Sequence, residues 1–462
     1  MSETIAAIAT GMTESGIGII RISGPESYEI IGRIFRTKKG NEPDLKESHR
    51  VHYGFIETNV SRETLDEVLM LNMKAPHSYT GEDTIEIDCH GGVLMMRRIL
   101  DTVLSAGARL AEPGEFTKRA FLNGRLDLSQ AEAVIDVIQA KNDKALQASV
   151  SQLKGSVSEK VKKCRAKLLE DTAYIEAALD DPEHIELDGF SEKLLKNVNE
   201  ILTDLEHLIQ SAENGRFLRE GIRTVIIGKP NAGKSSLLNV LIGEERAIVT
   251  SVAGTTRDTL EETINLKGVT LQIIDTAGIR ETEDVVEKIG VQRAMKAAET
   301  ADLLIYVVDV SIPLDAADFR MIDFIKEKGK KTIVLLNKSD LSSVISEDEL
   351  KKQLPEHTCI LQISAKKETG IENLESEIER LFYYGDISSD GEICITSLRQ
   401  KEELIAAWNA LLQLQQSIEA GMSEDFFTID LMNAYTQLGY ILGEEVDEDL
   451  VNEIFSKFCM GK

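Results

Sequence analysis

Across 462 residues, 79 acidic side chains stand against 52 basic ones, a formal charge of −27 that argues against broad nonspecific binding to nucleic acid or anionic membrane. No apolar run approaches the ~20 residues of a membrane span, and the N-terminus lacks a basic-then-apolar signal, so a cytoplasmic chain without membrane attachment is expected. The five cysteines (Cys89, Cys164, Cys359, Cys394, Cys459) form no C-x-x-C, and the seven histidines form no H-x-x-x-H or H-E-x-x-H pattern. Reduced thiols are therefore expected, with neither a zinc site nor a disulfide framework.

A chain this long predicts two to four domains. Residues 1–118 mix short β-like runs, Ile17–Ile22 and Thr84–Ile87, with one helix around Gly92–Ser105, which predicts a small α+β domain. From Ser129 the period turns helical: Ala131, Val134, Ile135 and Ile138 fall on one face, which Leu146, Val150 and Leu153 continue. A second helix carries Val157, Val161, Cys164 and Leu168. A third carries Leu194, Val198, Ile201, Leu205 and Leu208, with Ser191 as its cap. Helical spacing returns only at Leu404, Trp408, Leu411 and Leu412, and again over Ile429–Leu442. An amphipathic helix must bury its stripe, so the two helical halves are expected to pack together around an inserted domain.

That insert opens on Gly228-Lys229-Pro230-Asn231-Ala232-Gly233-Lys234-Ser235, a match to G-x-x-x-x-G-K-[ST] between the apolar run Thr224–Ile227 and the helical Ser236–Leu241. Strand, glycine loop and helix N-terminus make a cradle of backbone N–H groups for phosphates. Lys234 is expected on the β/γ-phosphates and the Ser235 hydroxyl on Mg²⁺. Three further segments select the nucleotide. Asp275-Thr276-Ala277-Gly278 follows Leu271–Ile274, placing a carboxylate near Mg²⁺ and a glycine N–H near the γ-phosphate. Asn337-Lys338-Ser339-Asp340 closes the run Thr332–Leu336, and its carboxylate can accept from N1–H and the exocyclic amine of guanine. Ser364-Ala365-Lys366 follows Ile360–Ile363 and supplies a backbone donor for the guanine carbonyl. Ligands of open α/β sheets bind outside the carboxyl ends of the strands, where all four segments fall. The expected nucleotide is GTP.

Where Ras-like enzymes carry a water-orienting Gln after the D-T-A-G segment, this chain has Ile279, and an apolar side chain cannot polarise water. The acids of Arg280–Glu287 are one substitute; composition alone reads them as a solvated surface.

Taken whole, the chain resembles the MnmE (TrmE) tRNA-modification GTPases. The resemblance rests on Gly16-Ile17-Gly18-Ile19-Ile20-Arg21-Ile22-Ser23-Gly24, Tyr79-Thr80-Gly81-Glu82-Asp83 ahead of His90-Gly91-Gly92, and the long run from Pro113 through Phe116-Thr117-Lys118-Arg119 and Asn123-Gly124-Arg125 to Leu128. Gly254-Thr255-Thr256-Arg257-Asp258 and the terminal Cys459-Met460-Gly461-Lys462 complete it. It implies an α/β and α+β multidomain protein. An N-terminal α+β tetrahydrofolate-binding and dimerising domain takes 1–118, a discontinuous all-α helical domain 119–216 and 383–462, and an inserted Ras-like P-loop GTPase domain 217–382.

The resemblance further implies a homodimer that joins the flavoprotein MnmG in a heterotetramer. Together they would modify carbon 5 of the wobble uridine of certain tRNAs with a one-carbon unit from 5-formyl- or 5,10-methylene-tetrahydrofolate, while GTP hydrolysis drives conformational change. Folate contacts would fall on Arg21, Glu86, Arg125 and Lys462. Mg²⁺ would take Ser235 and Thr256, potassium would take Asn231, Thr250, Val252 and Thr255, and Glu287 would orient the attacking water. A monovalent cation there sits where an arginine finger would otherwise place its charge. Arg125 stands where some members have Lys, and Ser251 where Asp is expected. The full set of expected GTP contacts is Asn231, Ala232, Gly233, Lys234, Ser235, Ser236, Thr250, Ser251, Val252, Ala253, Gly254, Thr255, Thr256, Asp275, Thr276, Ala277, Gly278, Asn337, Lys338, Asp340, Ser364, Ala365 and Lys366.

Lys160, Lys162, Lys163, Arg165 and Lys167 concentrate positive charge, read as a solvated helix face in preference to a tRNA contact. Cys459 is either an inert tail residue or part of the tRNA chemistry. The rival reading is a GTP-switched RNA or ribosome assembly factor without modification chemistry. A third reading makes the N-terminal domain a dimerisation unit without ligand.

Overall fold

The computed structural model describes residues 3–184, 189–243, 262–266, 268–274, 297–356, 358–382 and 393–461. The chain divides into two compact units, one of Met1–Ile135, Gln152–Asn199 and Ala406–Lys462, the other of Asp136–Ser151 and Glu200–Ile405.

The first unit is built on a seven-stranded sheet of β1 (Ile5–Ile8), β2 (Gly18–Ser23), β3 (Phe35–Thr37), β4 (Arg50–Glu57), β5 (Thr64–Met73), β6 (Thr84–Cys89) and β7 (Arg109–Leu110). Their order is β3-β4-β5-β6-β2-β1-β7, antiparallel except for the β1–β7 pair. One face is apolar by alternation, as in β5, where Asp66, Val68, Met70 and Asn72 are buried and Glu67 and Leu69 are exposed. The helices Ser27–Ile34 and Val93–Ser105 cover it, setting Ile30, Ile31, Ile34, Met96, Ile99 and Val103 against Ile20, Ile22, Met70, Ile85 and Ile87. Each such side chain contributes about 1.5–3 kcal/mol by leaving water.

In the same unit the helix Ser156–Asp180 packs on Phe427–Leu442, which joins the two helical halves. Arg165, 279 residues from Glu444 in sequence, forks onto that carboxylate at 2.5 Å through both terminal nitrogens and lies 4.0 Å from the Tyr435 ring centroid. The short helix Glu448–Ser456 was not evident in the sequence. Asp447 caps it by accepting from the Asp449 N–H, and it buries Val451 and Phe455 among Ala120, Leu126, Leu128 and Ala131.

Two local expectations change. The face expected to run from Ala131 to Leu153 is cut into the helices Leu128–Gln139 and Asp143–Leu153. The first ends at Gln139 and Asn142 starts the second, its side-chain oxygen accepting from the Ala145 N–H at 2.8 Å as a helix cap does. Ile138 and Leu146 are exposed. The helix expected to open on Ser191 begins at Phe190 instead. The Phe190 ring stacks on Tyr174 with centroids 4.7 Å apart, which draws the first turn back over Ser191.

The second unit holds a six-stranded sheet of β8 (Ile222–Ile227), β9 (Glu262–Leu266), β10 (Val269–Ile273), β11 (Leu303–Asp309), β12 (Lys331–Asn337) and β13 (Cys359–Gln362). The order is β13-β12-β11-β8-β10-β9, parallel except for β9. Every residue of β11 is buried, as a parallel strand covered on both faces requires. The helices Lys234–Ile242 and Ile371–Phe382 pack on one face and Ala316–Lys328 on the other. β8 lies between β11 and β10, so the loop at its carboxyl end opens at the point where strand order reverses.

Candidate functional site

β8 ends at Ile227, and the loop after it turns into the helix Lys234–Ile242 through Gly233 at φ 97°. A Cβ on Gly233 would lie 2.1 Å from Asn337 Nδ2, so only glycine allows this approach. Asn231 is exposed with φ 60°. The Lys234 ammonium donates to the Gly228 and Lys229 carbonyls, both at 2.8 Å. Burial pulls Lys234 below the usual lysine range. A polyanion at this helix N-terminus would reverse that pull, since it favours the charged ammonium.

Asn337, at the end of β12, joins the other segments to this loop. Its Nδ2 donates to the Ala232 carbonyl at 2.8 Å and its Oδ1 accepts from the Ala365 N–H at 3.0 Å. Asp340 Oδ1 accepts from the Ser364 hydroxyl at 2.7 Å, which holds the carboxyl below its usual range. Lys338, with φ 64°, sets its ammonium 2.5 Å from the buried Asp309 at the end of β11. Burial works against the Asp309 carboxylate, but the bonds from Lys338 and Ser311 outweigh it and keep its pKa low. Nothing local in the sequence marks Asp309. Its only signal is a carboxylate closing a fully apolar strand.

A second cluster lies in the first unit. Arg21 on β2 faces Glu86 on β6 in register, Nε to Oε1 at 2.7 Å. The Arg21 guanidinium lies 5.4 Å from the Tyr79 ring centroid and 5.6 Å from that of Phe116, and Arg125 lies 5.0 Å from Tyr79. Tyr79 donates to or accepts from the Thr117 hydroxyl at 2.9 Å; burial raises its phenol pKa, opposed by that hydrogen bond and by the two cations. From the C-terminal tail, the Gly461 carbonyl accepts from Arg21 at 3.3 Å, and the Cys459 carbonyl from the Gly114 N–H at 3.4 Å. Gly461 has φ 86°, and a Cβ there would lie 2.2 Å from the Ile8 carbonyl oxygen. The Cys459 residue itself is exposed. Tyr79 and Phe116 belong to motifs evident in the sequence, yet their role as ring walls appears only once the chain is folded.

Ser235, Ser236 and Lys366 stand at the expected segments. Thr250, Ser251, Val252, Ala253, Gly254, Thr255, Thr256, Asp275, Thr276, Ala277, Gly278, Glu287 and Lys462 lie outside the described residues. Of the basic run, Arg165 is buried on Glu444, and Lys162 lies 3.7 Å from Asp127. Among the described residues no cluster of three His, Cys, Asp or Glu side chains could hold a metal ion, and no helix is long and apolar enough to cross a membrane.

Residues 128–459 match the family model of the MnmE helical domain, and residues 4–125 that of the N-terminus of the GTP-binding protein TrmE. The chain is 58% identical over 462 residues to a tRNA modification GTPase MnmE of Lachnoclostridium phytofermentans, covering 100% of both chains. It is 47% identical over 466 residues to the protein of that name from Clostridioides difficile, again covering 100% of both. Among solved structures, Aquifex aeolicus Era bound to GDP·AlF4⁻ is 31% identical, with a TM-score of 0.28 over 42% of this chain and 67% of that one.

Proposed function

The chain belongs to the MnmE family of tRNA modification GTPases, and from that premise we propose that its GTP hydrolysis drives modification of carbon 5 of the wobble uridine in certain tRNAs. The group added is aminomethyl or carboxymethylaminomethyl, and the chain acts in the cytoplasm as a homodimer with the flavoprotein MnmG. The observation that carries the guanine site is Asn337. One amide ties the phosphate loop at Ala232 to the segment at Ala365, with Asp340 braced on Ser364 beside it.

In this reading Lys234 neutralises the β/γ-phosphates, and the N–H groups of the loop and first helical turn bind phosphate oxygens. Asp340 reads the guanine N1–H and amine, while Lys366 offers a backbone donor to the carbonyl, the Ala365 N–H being held by Asn337. The hydroxyl of Ser235 and the amide oxygen of Asn231 are hard donors, suited to Mg²⁺ and potassium respectively. Thr256 would complete the Mg²⁺ set, and Thr250, Val252 and Thr255 the potassium set. Glu287 orients the water in place of Ile279, an interaction realised mainly in the transition state.

The N-terminal cluster suits a flat polar heterocycle bearing carboxylates. Arg21 and Arg125 supply cations beside the aromatic walls Tyr79 and Phe116, and Glu86 supplies an acceptor. When bound, a one-carbon tetrahydrofolate supplies the methylene; Arg21, Glu86, Arg125 and Lys462 hold it and orient it.

Nucleoside analysis of tRNA from cells lacking this chain tests the reading. The wobble-uridine derivatives should disappear and return when the chain is restored. Unchanged nucleosides would favour an assembly factor that uses GTP without this chemistry.

A further inference from the structure

The second position of the phosphate loop is anchored in a way that the nucleotide chemistry does not require. The Lys229 ammonium does not point to the phosphate cradle. It lies 2.6 Å from Asp318 Oδ2 and 3.0 Å from Asp315 Oδ2. Those carboxylates form the capping box of the helix Ala316–Lys328: Asp315 accepts from the Ala317 and Asp318 N–H groups, and Asp318 accepts from the Asp315 N–H at 3.0 Å. Asp318 is 1% exposed, and its other oxygen accepts from the Tyr306 hydroxyl of β11 at 2.8 Å. The opposite end of the same residue is equally engaged. The Lys229 carbonyl accepts from the Ala232 N–H at 3.3 Å and from the Lys234 ammonium at 2.8 Å.

We propose that Lys229 is a positioning residue of the nucleotide site, its ammonium clamping the loop's outer arc to the buried Asp318 so that Asn231, Ala232 and Lys234 are set before nucleotide arrives. The inference rests on the guanine-site reading and deepens it. A loop fixed in advance loses less conformational freedom on binding, so the clamp acts on affinity. Burial lowers the Lys229 ammonium pKa, yet the bonds to Asp318 and Asp315 more than compensate and raise it overall, so the clamp stays charged through the neutral range.

The test uses the full chain. Equilibrium titration with GDP and a non-hydrolysable GTP analogue, with KM and kcat for GTP, is compared for parent, Lys229→Met, Lys229→Arg and the double variant Lys229→Met/Asp318→Asn. Lys229→Met should weaken nucleotide binding about tenfold, with KM rising more than kcat falls. Lys229→Arg should recover most of the affinity. Lys229→Met also strands a buried carboxylate, which by itself destabilises the fold. The double variant removes that charge, so its melting temperature should return toward the parent's while its affinity stays low. Parent-like affinity in Lys229→Met, or affinity recovered with stability in the double variant, would overturn the clamp. A parent chain that binds no guanine nucleotide would overturn the guanine-site reading and the clamp together.

Discussion

Asn337 commits both ends of its amide to backbone groups of other segments, so on the proposed reading base discrimination falls to Asp340. In Asp340→Asn the amide oxygen still accepts from Ser364, but its NH₂ donates where guanine needs an acceptor. Preference should shift from GTP to xanthosine triphosphate, with GTP affinity reduced by about 1.5–3 kcal/mol, roughly 10- to 150-fold. Competition between the two nucleotides measures it, and undiminished GTP affinity would remove Asp340 from base reading. In the first unit Glu115 accepts from Arg109 at 2.7 Å and from the buried Arg119 at 2.9 Å. Burial raises its carboxyl, but the bonds from Arg109, Glu112 and Arg119 prevail and leave it below the ordinary 4.5. A lowered carboxyl stabilises fully above the ordinary value, and that contribution is lost as pH falls through the lowered one. Glu115→Gln should therefore cost about 1.5 kcal/mol at neutral pH, because Arg119 loses one charged partner and keeps its ion pair to Glu82 at 3.0 Å. The gap from the parent should close as pH falls below the ordinary carboxylate value and through the lowered one. Amide exchange of Ala6 and Ile22 in the two proteins at neutral and acid pH reads the effect, and a gap independent of pH would exclude the carboxylate as its source.

At the scale of elements, the segments that could be read from the sequence are those whose physics is local. The phosphate loop declares itself because glycines, lysine and serine act within eight residues, and β8, β10, β12 and β13 declare themselves as apolar runs next to it. Asn142 was illegible because its capping of Asp143–Leu153 is coupled to a bond from its Nδ2 to Thr270, 128 residues away. The same holds for Lys229, whose partners Asp315 and Asp318 belong to another helix, and for Tyr79 and Phe116. The tail is the sharpest case. Gly461 bonds Arg21 across 440 residues, whereas the guanine-site segments lie on other strands. Deleting Cys459–Lys462 should abolish wobble-uridine modification and spare GTP hydrolysis. Nucleoside analysis and a phosphate-release assay on the truncated chain check both halves. Normal nucleosides would exclude the tail from the modification centre.

For the molecule as a whole, helical spacing on either side of the phosphate-loop segments was enough to suggest an insertion, and the packing of Ser156–Asp180 on Phe427–Leu442 follows from the need to bury two apolar stripes. That pairing has a consequence for biosynthesis. The second unit is complete once Ile405 has been made, whereas the first needs Ala406–Lys462. At about 5–20 residues per second, the ribosome takes roughly 12–50 s to travel from the end of one paired helix to the start of the other. Throughout that interval Val157, Val161 and Leu168, buried in the finished protein, wait on the nascent chain for their partner. The nucleotide-binding unit can fold during the wait, which would let this chain mature from its middle outward, with the apolar stripe of its early helix exposed until the late one emerges.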